Sequence, residues 1–168
     1  GGWGGGVGTR PEPGGRGGGA ADEVVLNNGL LRVAVDDRGL ITSVLDVVED
    51  REIVPPGSVA NLLQLHQDFP NQWDAWDVDE HYRNTVRDLV EVDDVAVATD
   101  ATGSVTVRIA RDFGSSRVVQ DVTLAPNSKQ IDFTVDVQWH EREKLLKVAF
   151  PVDVHTDNAR FEIQFGHI

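Results

Sequence analysis

Residues 130–139 read QIDFTVDVQW, and apolar and polar side chains alternate along the whole stretch. In an extended chain, successive side chains point to opposite faces, so this period of two indicates a β-strand. The apolar members are Ile131, Phe133, Val135, Val137 and Trp139. We predict that their face packs on the core and that the opposite, polar face meets water.

Four further stretches alternate in the same way, namely residues 89–98, 104–110, 117–124 and 147–154. Turn-forming residues separate them, such as the Asp, Thr and Gly of residues 100–103 and the Pro, Asn and Ser of residues 126–128. Upstream, residues 30–35 and 40–48 flank the turn at residues 36–39 and predict a hairpin. Strands of this length with short connections are typical of an antiparallel meander.

After the Gly-rich N-terminal segment, the rest of the chain shows the same pattern of short alternating stretches and turns. Residues 1–22 are dominated by glycine, and we expect a flexible tail or linker there, because this composition cannot bury enough apolar surface. Residues 23–168 contain no amphipathic stretch of helix length. The expected fold class is therefore all-β, an antiparallel β-sandwich formed by one domain.

Composition excludes several classes of partner. The chain carries 28 acidic and 15 basic side chains, a formal charge of -13, so it should repel nucleic acid and anionic membranes. No apolar run of membrane-spanning length occurs. The chain has no cysteine, which excludes disulfides and thiolate metal sites and favours a cytoplasmic location.

The one non-periodic stretch is Asp68–Asp88, DFPNQWDAWDVDEHYRNTVRD, called the aromatic loop below. Aromatic faces stack on the C–H faces of sugars, and carboxylates accept hydrogen bonds from sugar hydroxyls. The candidate substrate-binding residues are Trp73, Asp74, Trp76, Asp77, Asp79 and Tyr82. The alternative is structural, with the aromatics plugging the edge of the sandwich and the acids solvated or paired with arginine.

The spacing of the residues gives less support to metal binding or to catalysis. The acids of the aromatic loop are the oxygen ligands that Ca²⁺ prefers, but no glycine follows them to make a calcium-loop turn. Asp74 and Asp77 are too close in sequence to hold the geometry of a glycosidase pair. The charge cluster at residues 139–147 is interpreted as a strand-turn-strand, and the scattered histidines do not predict a zinc site.

The sequence resembles the glycoside hydrolase family 38 α-mannosidases, in the part that follows their catalytic domain. Six phrases carry the likeness, in order from residue 26 to residue 167. They are Leu26–Val35 (LNNGLLRVAV), Gly39–Ser43 (GLITS), Asn61–Leu65 (NLLQL), Trp73–Val78 (WDAWDV), Trp139–Pro151 (WHEREKLLKVAFP) and Phe161–His167 (FEIQFGH).

The resemblance implies a galactose-mutarotase-like supersandwich, here incomplete at its C-terminal end. It also implies a parent enzyme that hydrolyses α-mannosides with retention, whose zinc ion and catalytic aspartates lie in an N-terminal domain followed by a helical bundle. No catalytic residue or metal ligand can be placed in this chain. The expected partners are those parental domains and a mannose-containing carbohydrate.

In this interpretation the chain contributes the rim of the active site and a domain interface, without chemistry of its own. Two alternatives stay open: a free-standing carbohydrate-binding module and a purely structural interaction domain. A sandwich lacking strands would expose strand edges and apolar surface, so we expect the isolated chain to associate or to be poorly soluble.

Overall fold

A computed structural model of the chain describes residues 23–73, 76–163 and 166–167. The predicted Gly-rich tail, residues 1–22, lies outside the described residues. Thirteen strands are present in the described part. They are Val24–Asn27 (β1), Leu31–Val35 (β2), Ile41–Asp46 (β3), Arg51–Glu52 (β4), Leu62–Gln67 (β5), Arg87–Asp88 (β6), Asp94–Thr99 (β7), Val105–Phe113 (β8), Ser116–Leu124 (β9), Ile131–Gln138 (β10), Lys144–Ala149 (β11), Glu162–Ile163 (β12) and Gly166–His167 (β13).

The strands form four antiparallel sheets, with the orders β1-β2-β3-β4, β10-β9-β8-β7, β11-β5-β6 and β12-β13. The prediction of an all-β antiparallel sandwich is confirmed. Four of the five strands predicted for the meander form it, as β7 to β10 without a crossover, whereas the fifth, β11, pairs with β5 in another sheet. A 3-10 helix at Glu80–Asn84 is the one helical element of the described residues. No helix in that part of the chain is long and apolar enough to cross a membrane.

Asn28 ties the first sheet to the meander. Its side-chain oxygen accepts hydrogen bonds from the backbone N–H groups of Leu30 and Leu31 at 3.0 and 2.9 Å, which closes the turn between β1 and β2. Its amide nitrogen donates to the carbonyls of Ala125 and Ser128, both at 2.7 Å, in the turn between β9 and β10. One side chain therefore fixes two turns that lie about a hundred residues apart.

The main core lies between the β1-β4 sheet and the two central strands of the meander. Its fully buried aliphatic side chains come from both sheets, and each stabilises the fold by about 1.5–3 kcal/mol relative to exposure. They include Leu26, Val33, Val35, Ile41, Val107, Ile109, Val122 and Leu124. A second cluster, Leu63, Leu65, Leu89, Phe113 and Val118, packs the β11-β5-β6 sheet on the end of the meander.

A polar network with a buried guanidinium lies within this interior. Arg111 is 1 % exposed and donates to the Leu89 carbonyl at 3.2 Å, to the Gln120 side chain at 3.3 Å and to the Arg38 carbonyl. Gln120 in turn donates to Asn61 Oδ1 at 2.8 Å. Burial lowers the pKa of Arg111, and the nearby charge of Asp36 opposes that shift. The network links β8, β9 and two loops.

The prediction that the apolar face of residues 130–139 packs on the core is confirmed for Ile131 and wrong for the side chains beyond it. The four side chains beyond Ile131 are between 36 % and 49 % exposed, and they form the β10 apolar face: Phe133, Val135, Val137 and Trp139. The reason is positional: β10 is the outer strand of its sheet, whereas the buried inner-face side chains of the meander belong mainly to β8 and β9.

Two predicted strands also have different bounds. The stretch predicted from residue 89 forms a strand only from Asp94, because Leu89 donates its N–H to Leu63 at 2.9 Å and residues 90–93 cross between sheets. The last predicted strand begins earlier, at Lys144, because β11 pairs residue by residue with β5 from Lys144 opposite Gln67. It ends before Pro151, which has no N–H to donate.

Candidate functional site

Hydrogen bonds hold both ends of the aromatic loop against the β11-β5-β6 sheet. At its start, the Gln67 N–H donates to Thr85 Oγ1 at 3.0 Å and the Asp68 N–H donates to the Glu143 carbonyl at 2.9 Å. At its end, β6 pairs with β5 through Arg87 and Asp88. These bonds hold an irregular segment against regular strands, a common arrangement for ligand-contacting loops.

Two tryptophans project from the loop into solvent. Trp73 is 67 % exposed and Trp76 is 85 % exposed, and their ring centroids lie 6.4 Å apart at an angle of 56°. Large aromatic side chains are usually buried, so an exposed neighbouring pair marks a contact surface. The tilted rings offer two faces on which an extended ligand could stack.

The backbone at Trp73 is strained. Its φ is +62°, in the left-handed region that costs a residue with a side chain about 1–2 kcal/mol. Two hydrogen bonds hold this conformation, because the Trp73 carbonyl accepts from the N–H groups of Trp76 at 2.7 Å and Asp77 at 3.0 Å. Strain of this kind is commonly found where a side chain must be presented in a fixed direction.

The three aspartates predicted to bind substrate do not share one environment. Asp79 accepts hydrogen bonds from the backbone and side-chain nitrogens of Asn71, at 3.0 and 3.1 Å, and so closes the loop on itself. Asp77 is exposed beside Trp76. Asp74 lies outside the described residues. Asp79 thus has a structural partner, and the exposed Asp77 is the described carboxylate beside the Trp73–Trp76 pair.

Tyr82 belongs to a different arrangement, on the outer face of the sheet. Its hydroxyl accepts a hydrogen bond from Lys147 Nζ at 2.7 Å, and Arg83 lies 5.8 Å from its ring centroid. The Lys147 hydrogen bond, followed by that of Arg83, lowers the pKa of Tyr82. The ring of His66 meets the Tyr82 ring edge-on at 5.1 Å.

His66 fixes the position of Tyr82 from beneath. It is 6 % exposed, and its Nδ1 lies 3.0 Å from the Tyr82 carbonyl oxygen. A carbonyl can only accept, so Nδ1 is the donor in this contact. Among the hydrogen bonds of the described residues, Nε2 has no partner.

The structure therefore divides the candidate residues of the loop into separate groups. Trp73 and Trp76 come together, Asp79 bonds to Asn71, and Tyr82 bonds to Lys147 and contacts His66. The sequence alone shows His66 as one of several scattered histidines and Lys147 as part of a charge cluster. A usable signal exists in β5, where Gln64 and His66 alternate with the buried Leu63 and Leu65, and it marks the outer face of that strand.

The charge cluster after β10 caps a turn. Glu141 accepts hydrogen bonds from the Ser115 N–H at 2.8 Å and from Ser116 Oγ at 3.0 Å, and these bonds lower its pKa. Ser116 Oγ also accepts from the His140 N–H at 2.8 Å. This agrees with the strand-turn-strand interpretation. In the part of the chain that the structure describes, no three His, Cys, Asp or Glu side chains converge as they would for a metal.

The fold and the loop together define an antiparallel β-domain with an exposed aromatic surface. Residues 26–168 match the family described as "Glycosyl hydrolases family 38 C-terminal domain". The chain belongs to this family, and the resemblance predicted from the sequence is confirmed.

Three curated relatives illustrate the similarity. The chain is 37 % identical over 148 residues to alpha-mannosidase 2C1 from Homo sapiens, covering 86 % of this chain and 14 % of the relative. It is 28 % identical to alpha-mannosidase G from Dictyostelium discoideum, over 89 % of this chain and 14 % of that protein. It is 30 % identical to alpha-mannosidase from Saccharomyces cerevisiae, over 86 % of this chain and 15 % of that protein. The chain thus spans about one seventh of their length.

Proposed function

We propose that this chain forms the sugar-facing rim and a domain interface of a retaining α-mannosidase, and that it performs no bond cleavage itself. Its family and the names of its relatives support an α-mannosidase as the parent. The catalytic carboxylates and the zinc ion are assigned to other domains of the parent.

The exposed pair of Trp73 and Trp76 carries the proposal for the rim. The apolar C–H faces of mannose stack on indole rings, and a neighbouring exposed carboxylate such as Asp77 accepts hydrogen bonds from hydroxyls. The strained Trp73 backbone fixes the direction of one ring before the ligand arrives, which reduces the entropy lost on binding.

The β10 apolar face supports the proposal for the interface. It continues into Phe150, whose ring meets that of Phe133 at 5.2 Å. Next to it, a cleft of about 290 Å³ opens between the sheets, and Ile41, Val44, Ile131 and Phe133 are among its lining residues. Adjacent exposed apolar side chains of this kind are more typical of a protein interface than of a free surface.

Kinetics of a full-length α-mannosidase that carries this domain would test the rim. We expect Trp73→Ala and Trp76→Ala to raise the KM for mannobiose about fivefold to tenfold with little change in kcat, because stacking binds ground state and transition state alike. Phe69→Ala is the matched control, since Phe69 is an exposed aromatic residue of the same loop. Unchanged KM values in both tryptophan variants would contradict the proposal.

The second candidate is a carbohydrate-binding module that acts without a catalytic partner, and the same tryptophan pair favours it. Calorimetry of the 168-residue chain with mannose and mannobiose separates the two functions. Millimolar or tighter binding that is lost in Trp73→Ala favours the module. If calorimetry detects no binding by the isolated chain, while the tryptophan variants raise the KM of the full-length enzyme, the rim function is favoured. The tryptophans then bind sugar only together with the rest of the active site.

A further inference from the structure

A pocket around Tyr82 lies on the outer face of the β11-β5-β6 sheet, and the proposed function does not use it. We call it the Tyr82 pocket; its volume is about 440 Å³. Lys147 on β11 is the cross-strand partner of Gln64 on β5, and His66 lies two residues further along the same face. The 3-10 helix supplies the other wall. The lining residues are Gln64, His66, Tyr82, Arg83, Val86 and Lys147.

The charge of this pocket is opposite to that of the chain. Lys147 and Arg83 are cations in a chain with a net charge of -13. In the described part of the chain, neither forms an ion pair with an Asp or Glu within 4.0 Å; the ion pairs found there involve other residues. Asp88, the carboxylate on the other side of Gln64, accepts a hydrogen bond from that amide at 2.8 Å. Among the residues that the structure describes, the two positive charges therefore have no carboxylate within ion-pair distance.

Three hydrogen-bond donor groups, those of Tyr82, Arg83 and Lys147, line the pocket. Because Lys147 Nζ donates to the Tyr82 hydroxyl oxygen, the hydrogen of that hydroxyl is free to be donated elsewhere. The ammonium group of Lys147 has two further N–H donors, and the Arg83 guanidinium has five in a planar fork. The pocket thus offers donors and positive charge together.

The position of Tyr82 is fixed before any ligand binds. Its carbonyl accepts hydrogen bonds from the N–H and the hydroxyl of Thr85, at 3.1 and 3.0 Å, in addition to that of His66. The edge-on contact with the buried His66 ring holds the phenol from below. A rigid donor loses little entropy on binding, which favours a specific site.

We propose that the Tyr82 pocket binds a small oxyanion, a phosphate or carboxylate group, through Lys147, Arg83 and the hydroxyl of Tyr82. Charge-assisted hydrogen bonds from an ammonium and a guanidinium are the strong contacts of such sites, and the arginine fork matches two oxygens of one group. The proposal is independent of the Trp73–Trp76 pair.

Calorimetry and amide NMR of the 168-residue chain at low salt would test this site, with inorganic phosphate and acetate as probes. We expect saturable binding with a Kd of about 1 mM and shifts confined to residues 64–66, 82–86 and 147. Lys147→Gln and Arg83→Gln should each weaken binding about fivefold or more, and Tyr82→Phe about threefold. Lys147→Arg keeps the charge and should bind within about threefold of the parent chain.

Lys129→Gln is the matched control, because it removes the same charge from a lysine that pairs with Asp46 elsewhere. The proposal is overturned if neither probe saturates by about 50 mM. It is also overturned if Lys129→Gln weakens binding as much as Lys147→Gln, or if neutral mannose competes as well as phosphate. The stronger of the two probes identifies the oxyanion. Trp73→Ala should leave phosphate binding unchanged, so failure here leaves the proposed rim untouched.

Discussion

The Glu141 carboxylate accepts a 2.8 Å hydrogen bond from the backbone N–H of Ser115, and thereby caps the tip of the β8–β9 hairpin from the far end of β10. Its contacts lower the pKa of Glu141 below its ordinary value of 4.5. A carboxyl with a depressed pKa stabilises the fold at pH values above its unfolded pKa, and this contribution is lost as pH falls through the folded pKa.

Replacement of Glu141 by Gln should therefore flatten the pH dependence of stability. We expect urea unfolding midpoints of the parent chain and of Glu141→Gln to differ most near neutral pH and to converge as the pH falls below 4.5 through the lowered pKa of Glu141. Glu143→Gln, in the same link, is the control and should leave the curve unchanged. A Glu141→Gln difference that grows as the pH falls would contradict the assigned role of the carboxylate.

Gly39 cannot carry a side chain. Its φ is +69°, and an added Cβ would lie 2.6 Å from Ile109 Cγ2 in the main core. Gly39→Ala should lower the free energy of unfolding by about 2–4 kcal/mol, the sum of left-handed strain and overpacking. Gly29→Ala, at φ +84° with open space around it, should cost only the strain, about 1–2 kcal/mol. Urea denaturation measures both losses of unfolding free energy. Equal losses for Gly39→Ala and Gly29→Ala would show that the Ile109 side chain moves aside without an energetic cost.

The buried Arg111 satisfies two carbonyls and one amide oxygen. Arg111→Met should lower the free energy of unfolding by about 2–4 kcal/mol, because the carbonyls of Leu89 and Arg38 would lose their buried donor. Arg117→Met is a suitable comparison, since Arg117 forms an exposed ion pair with Asp112 and should cost about 0–1 kcal/mol. A neutral or stabilising Arg111→Met would mean that apolar packing compensates for the network.

The β10 apolar face should drive association of the isolated chain. An outer strand with unpaired backbone groups and exposed valines is a template for pairing between molecules. We expect Val135→Lys and Val137→Lys to reduce the oligomer fraction in sedimentation velocity without lowering the unfolding midpoint. Val48→Lys, which alters an exposed valine in a turn, should leave the oligomer fraction as it is. If the unmodified chain is monomeric at micromolar concentration, the β10 apolar face does not drive association.

How far the sequence predicts this molecule depends on whether a feature is local. The meander could be predicted because alternation and turn residues act over a few positions, as in the stretch that forms β10. The exposure of Phe133 and Val137 could not, because burial depends on a covering sheet formed by residues about a hundred positions earlier.

The candidate site follows the same rule. The composition of the aromatic loop identified Trp73 and Trp76 as surface aromatics of interest. The association of Tyr82 with His66 and Lys147 joins three separate segments and depends on the register of β11 against β5. The left-handed backbone of Trp73 also has no signature in the sequence, because glycine or asparagine usually occupies such positions.

We propose that this domain supports α-mannoside hydrolysis by a parent enzyme without performing it. The most direct measurement is the release of nitrophenol from p-nitrophenyl α-mannoside by the purified 168-residue chain, with and without added zinc. We predict a rate equal to that of buffer under both conditions. Zinc-dependent release well above buffer, abolished by a chelator, would contradict the claim and place the chemistry within this chain.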